Sequence, residues 1–183
     1  VLVGTEQYGA FYSSDGGSTF ATSVNGLGAV TVTATAGDTS SVYVATTTGV
    51  AIAPATPDWS NLVFGDSTCN VNSASQILIV SDSEGLYFVA QGDLHRATND
   101  CTSISNLTSS NLAASVLSSL IITSNSTANH LIYLGTDQGL YRSRDSGISF
   151  SAVDDTVKLN THSLTLIENT NETHKILIGT DAG

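Results

Sequence analysis

Scarcity of basic residues is the first constraint on function. Five Lys and Arg stand against sixteen Asp and Glu, a net charge of −11. Nucleic acid and anionic membrane surfaces both require a basic patch, so neither is an expected partner. No apolar run approaches the ~18 residues of a membrane span, and no basic-then-apolar leader opens the chain, so no membrane insertion is expected. Methionine is absent and the first residue is Val1, which predicts a processed chain or one cut from something longer. Charged residues of both signs make up only 11%, where an ordinary domain has about 25%, and 26 Ser and 24 Thr fill the gap. What is present is enough to fold: 40% hydrophobic residues can bury a core, and 183 residues favour one domain.

The sequence repeats. Val1-Leu-Val-Gly-Thr-Glu, leading to Phe20, is echoed by Leu131-Ile-Tyr-Leu-Gly-Thr-Asp, leading to Phe150. A third copy begins at Lys175-Ile-Leu-Ile-Gly-Thr-Asp, and weaker copies start at Val42 and Leu86. Aligned, the residues at the Asp15 position are Ala55, Asn99 and Asp145, the last of these in the second intact copy. A second series, starting at Ala29, Gln76, Ser119 and Ser163, recurs 47, 43 and 44 residues apart. All are short, β-branched or aliphatic, and bounded by Gly, Asp, Asn or Ser, so they read as strands. Leu112–Leu120 is the only candidate helix, and a weak one. Each repeat then holds four strands: A (the apolar run), B (ending Gly-Thr-Asp or Gly-Thr-Glu), C (the Phe/Tyr segment) and D (after Phe20 or Phe150). Four-stranded units at this period predict an all-β fold, a β-propeller, because one sheet cannot bury both faces alone. The expected limits are a partial blade at 1–28, blades at 29–75, 76–118 and 119–162, and a partial blade at 163–183. About four blades' worth is present, within a single propeller region that is larger or assembled.

The C–D connection reads Ser13-x-Asp15-x-Gly17-x-Thr19-Phe20 and again Ser143-x-Asp145-x-Gly147-x-Ser149-Phe150. This resembles the Asp-box, or BNR, repeat of sialidase-like, xyloglucanase-like and sortilin-like propellers. Residues Ala97–Ile104 keep a degenerate copy, and blade two keeps only Trp59. The Ser and Asp side chains are expected to accept turn N–H bonds, the glycines to take positive φ, and Phe20 and Phe150 to anchor strand D in the core between blades. The resemblance implies that the box is architectural and lies opposite any catalytic cleft.

Candidates for chemistry are few. A sialidase-like clamp would require three converging arginines, whereas Arg96, Arg142 and Arg144 are placed by the repeat. An endo-glycosidase requires two carboxylates and an aromatic groove. Glu6, Asp93, Asp137 and Asp181 fall in B–C turns; Glu6, Asp137 and Asp181 recur with the repeat, which favours turn-forming acids, and one Trp is sparse for a sugar groove. Asp154-Asp155 is a weak Ca²⁺ candidate. His130 and His174 each open a strand B and have no zinc spacing. No catalytic residue, cofactor or metal site is therefore expected. Cys69 and Cys101 could pair in a secreted protein, although the register places them on opposite rims. Asn106, Asn125 and Asn171 head glycosylation sequons, the last two in A–B turns.

The expected function is a non-catalytic extracellular or cell-surface scaffold or interaction module, such as a subunit of a surface fibre, an adhesin or a receptor ectodomain. The alternatives are an Asp-box glycoside hydrolase and a protein-complex assembly factor. Expected partners are other protein subunits or further repeats of the same chain, with glycans as candidate ligands.

Overall fold

The computed structural model describes residues 1–22, 27, 30–37, 41–54, 79–82, 85–90, 92–98, 100–107, 112, 117–124, 130–153, 158–169 and 174–183. Among these residues the fold is all-β with no helix, built of small antiparallel sheets. The first sheet holds β1 (Leu2–Gly4), β2 (Ala10–Tyr12) and β3 (Ala21–Thr22), in that order. The second holds β4 (Val32–Gly37), β5 (Ser41–Thr46) and β6 (Gly49–Pro54). The third is a four-stranded meander of β7 (Ile79–Asp82), β8 (Gly85–Ala90), β9 (Asp93–Ala97) and β10 (Ile104–Asn106). The fourth is another, of β11 (Leu117–Ser124), β12 (His130–Thr136), β13 (Gly139–Ser143) and β14 (Ser151–Ala152). β15 (Thr161–Asn169) and β16 (His174–Thr180) pair as the fifth. β11 covers the only candidate helix up to Leu120 from Leu117 onward, where Leu and Ile on a pleated strand bury better than a Ser-rich helix could.

Each strand B carries two apolar faces, because successive side chains point to opposite sides of a sheet. Leu2, Tyr43 and Tyr133 share one face with Gly4, Ala45 and Gly135; Val3, Val44 and Leu134 lie on the other. The chain divides into two compact units, Val1–Gln91 with His95–Ser105, and Gly92–Leu94 with Asn106–Gly183.

In the first unit the cores lie between consecutive sheets. Ala10 and Leu2 of the first sheet pack with Val42, Val44, Ala51 and Ala53 of the second. Tyr43 and Ala45, on the second sheet's other face, pack with Leu86, Phe88 and Ala90 of the third. Gly4 is small for a reason: a Cβ there would overlap the Val32 side chain of β4. Main-chain bonds tie these two sheets, Val32 N–H to Thr5 O at 2.8 Å and Gly9 N–H to Val30 O at 3.2 Å.

The second unit repeats the device. Thr161 Cγ2 of β15 sits 2.7 Å from where a Gly135 Cβ would stand, and the Ser118 hydroxyl donates to Thr161 O. Leu134 and Ile132 of β12 are fully buried.

Candidate functional site

The turns after β2 and β13 are built alike. Ser13 is buried, and its Oγ accepts from Gly17 N–H at 2.7 Å while donating to Asp15 Oδ1 at 2.7 Å. Asp15 Oδ1 also accepts from Thr19 N–H at 2.9 Å, and Oδ2 from the Thr19 hydroxyl at 2.6 Å. In the fourth sheet Ser143 Oγ accepts from Gly147 N–H at 2.8 Å and donates to Asp145 Oδ1 at 2.7 Å. Ser149 gives Asp145 its N–H at 2.9 Å and its hydroxyl at 2.6 Å. Both carboxylates therefore serve as acceptors inside their own turns.

That bonding sets their acidity. The Thr19 hydroxyl, its N–H and the Ser13 hydroxyl hold the Asp15 carboxyl well below the usual carboxylate range. At Asp145 burial raises the pKa, but the donors from Ser149 and Ser143 outweigh it and the net shift is downward. Gly16 (φ 74°) and Ser146 (φ 58°) occupy the same left-handed position after the Asp. Gly147 (φ 92°) is required twice over, since a Cβ would also meet Leu107 Cδ1 at 2.7 Å.

A third such turn follows β9, one residue out of the register read from sequence. Asn99, aligned there with Asp15, lies outside the described residues, and Asp100 takes the acceptor role. Asp100 Oδ1 accepts from the Thr98 hydroxyl at 2.7 Å, from Thr102 N–H at 3.1 Å and from the Thr102 hydroxyl at 2.9 Å. These donors lower its carboxyl to about 2. Cys101 (φ 57°) matches Ser146 in conformation, which fixes the alignment. Threonine replaces the serine, and Thr102 stands where Gly17 and Gly147 stand. The surviving signal was hydroxyl-x-acid spacing, Thr98-x-Asp100.

One expectation fails at the aromatic. Phe20 is 47% exposed rather than anchored between sheets, and Phe150 is half-buried. β3 is two exposed residues at the edge of its sheet, and Phe20 Cζ lies 4.0 Å from where a Gly17 Cβ would stand.

In four of the B–C turns a threonine hydroxyl bonds across the bend. Thr136 Oγ1 donates to Gly139 O at 2.8 Å and accepts from Gln138 N–H at 3.0 Å. Thr46 with Gly49, Thr180 with Gly183 and Thr5 with Gly9 repeat the loop. Glu6, Asp137 and Asp181 each follow the threonine of one of these turns. Asp181 contacts His162 Nε2, and that contact lowers its carboxyl.

The remaining candidates are dispersed. Arg96 lies over the Tyr87 ring, 5.6 Å from its centroid, a cation–π placement. Arg142 is on β13 and Arg144 in the turn after it. His130 and His174 open β12 and β16. Among the described residues no three His, Cys, Asp or Glu side chains group to hold a metal ion. Cys101 is disulfide-bonded; Cys69, the other cysteine of the sequence, lies outside the described residues, as do Asn125, Asn171, Trp59, Ala55 and Asp154-Asp155. Asn106 is exposed at the end of β10, and its amide donates to Asp93 Oδ2 at 2.9 Å.

Within the second unit a cleft of about 320 Å³ is lined by Leu140, Val153, Leu159, Thr161, Ile178 and Thr180. Among the described residues no Asp or Glu side chain lines it. Its described lining is mostly apolar and can admit an apolar group.

No protein-family model matches the chain, and no curated protein matches it. Solved structures do. The extracellular domain of the one component system BT4673 from B. thetaiotaomicron aligns over 98% of this chain at 17% identity and TM-score 0.66, yet the match covers only 23% of that chain. An ancestral GH74 enzyme aligns over 89% at 19% identity and TM-score 0.60, covering 23% of its own chain. The computationally designed Ika4 protein aligns over 84% at 14% identity and TM-score 0.58, covering 88% of its chain. The chain thus spans about a quarter of the two natural proteins named, both propeller-type folds, and it is similar to them in fold.

Proposed function

We propose that this chain is a non-catalytic extracellular interaction module of the Asp-box β-propeller type. Its blades would span 29–75, 76–118 and 119–162, with partial blades at 1–28 and 163–183. The observation that carries this reading is that Asp15, Asp100 and Asp145 are each occupied by hydroxyl and N–H donors of their own turn. A carboxyl held ionised by three bonds is a poor general acid, since that role needs a raised pKa. Stacked sheets with cores between them agree with radially arranged blades. An extracellular or cell-surface location is supported by the BT4673 extracellular domain as a fold neighbour and by the sparsely charged, Ser/Thr-rich composition. Its partners would be other protein subunits or further repeats. Incubation with xyloglucan and other β-glucans, followed by reducing-end assay, is expected to release no sugar. Release at a rate abolished by substituting Glu6, Asp137 or Asp181 would instead establish the glycoside hydrolase alternative.

A further inference from the structure

The turn after β9 differs from its two counterparts in what holds it. After β2 and β13 a buried serine hydroxyl accepts the N–H of the glycine four residues on, Ser13 from Gly17 at 2.7 Å and Ser143 from Gly147 at 2.8 Å. Both glycines are left-handed, which lets the chain wrap around that hydroxyl. After β9 the hydroxyl residue, Thr98, is exposed, and the N–H at the glycine position, that of Thr102, goes to Asp100 Oδ1 instead. The bonds that Thr98, Asp100, Thr102 and Ser103 exchange are exposed, where water competes for them. Cys101 takes the left-handed conformation, φ 57°, which a β-carbon disfavours.

Among the described residues of this turn, Cys101 alone is drawn inward. It is disulfide-bonded and half-buried, and it packs against the cluster of Tyr43, Val50, Phe88 and Ala97 between the second and third sheets. Thr98, Asp100, Thr102 and Ser103 are exposed, and so is every residue of β10, the edge strand that the turn delivers.

We propose that this turn is a redox-sensitive element: the disulfide at Cys101 holds it, and reduction of that bond releases the turn together with β10. The reductant is a dithiol. One of its thiolates attacks a sulfur of the bond, and its second thiol then resolves the mixed disulfide. The dithiol gives up two electrons and two protons, leaving two cysteine thiols and its own closed disulfide. An oxidising exterior keeps the bond, and a reducing compartment breaks it. Once reduced, the turn keeps its left-handed Cys101 and its exposed hydrogen bonds but loses the cross-link, and segments held in that way open first. The sequence has one other cysteine, Cys69, so a bond within the chain has a single choice of partner. The turns after β2 and β13 contain no cysteine and serve as internal controls.

NMR of the 183-residue chain before and after excess dithiothreitol tests this, with alkylation and intact mass counting the thiols. Before reduction no thiol should react. After it, exchange of the Thr102 and Ser103 amide protons should speed up at least about tenfold, as local opening requires. The Asp100 carboxyl should move from about 2 towards the ordinary value near 4, because its donors from Thr98 and Thr102 are released. Asp15 and Asp145 should stay where they are. Cys69→Ser should reproduce both changes without reductant, since it removes the bond and leaves the turn's own residues in place. Thiols that alkylate in the untreated chain, a reduced chain whose Asp100 and turn amides are unchanged, or a shift shared by all three aspartates would overturn the proposal. So would a Cys69→Ser variant that behaves like the oxidised chain.

Discussion

Phe88→Ala should destabilise the chain by about 3–5 kcal/mol, the usual cost of deleting a buried aromatic side chain. Phe88 is fully buried in the core between the second and third sheets and stacks on His95, with ring centroids 5.4 Å apart. Its removal opens a cavity against Tyr43, Ala45 and Val50, fully buried neighbours that cannot collapse into it without moving strands. Urea unfolding of the variant beside wild type measures the loss. A change below about 1 kcal/mol would mean that this inter-sheet core contributes little to stability.

Gly135→Val should cost about 3 kcal/mol by a different route, overpacking. The new Cβ would overlap the Ser119 hydroxyl and approach Thr161 Cγ2 at 2.7 Å, before its two methyl groups are counted. Ser119 can rotate away, but Thr161 belongs to the next sheet, so β12 and β15 must separate. Gly16→Asn is the control. Gly16 has open space around it, and Ser146 holds the same left-handed conformation, so that change should cost well under 1 kcal/mol. Thermal melts of the two variants should rank them in this order. Equal losses would show that backbone strain, not sheet spacing, governs these glycines.

The glycine before Thr also explains what could be read from sequence. Gly4 and Gly135 stand where the next sheet's Val32 and Thr161 leave no room for a Cβ, and with Gly179, whose Cβ would meet Ser163 of its own sheet, they make the period visible in residue identity alone. The intact boxes were legible for the same reason, since Ser13, Asp15 and Gly17 each satisfy a separate turn requirement. Asp100 was missed because its turn meets those requirements with Thr98 and a left-handed Cys101, so matching identities favoured the neighbouring Asn99. The exposure of Phe20 was not legible: the sequence shows an aromatic that could anchor, but not whether a second layer reaches it. The hydroxyl turns at Thr5, Thr46, Thr136 and Thr180 are equally visible in the sequence, each a Thr with a Gly three or four residues on.

The central claim is that Asp15, Asp100 and Asp145 hold turns rather than perform chemistry, and their ionisation separates the two roles. A turn-holding carboxylate binds its proton weakly in the folded chain, so its stabilising contribution is full above the unfolded value near 4 and is lost as pH falls through the folded value. For Asp100 that window runs from about pH 4 down to about 2. Asp15 and Asp145 are shifted in the same direction. A catalytic acid would be displaced the other way, upward, so as to hold its proton near neutral pH. The most direct test is an NMR titration of the aspartate side-chain carboxyl carbons in the folded protein. The expected result is that Asp15, Asp100 and Asp145 all titrate below the ordinary carboxylate value, with Asp100 near 2; a titration of any of the three above that value would contradict the account.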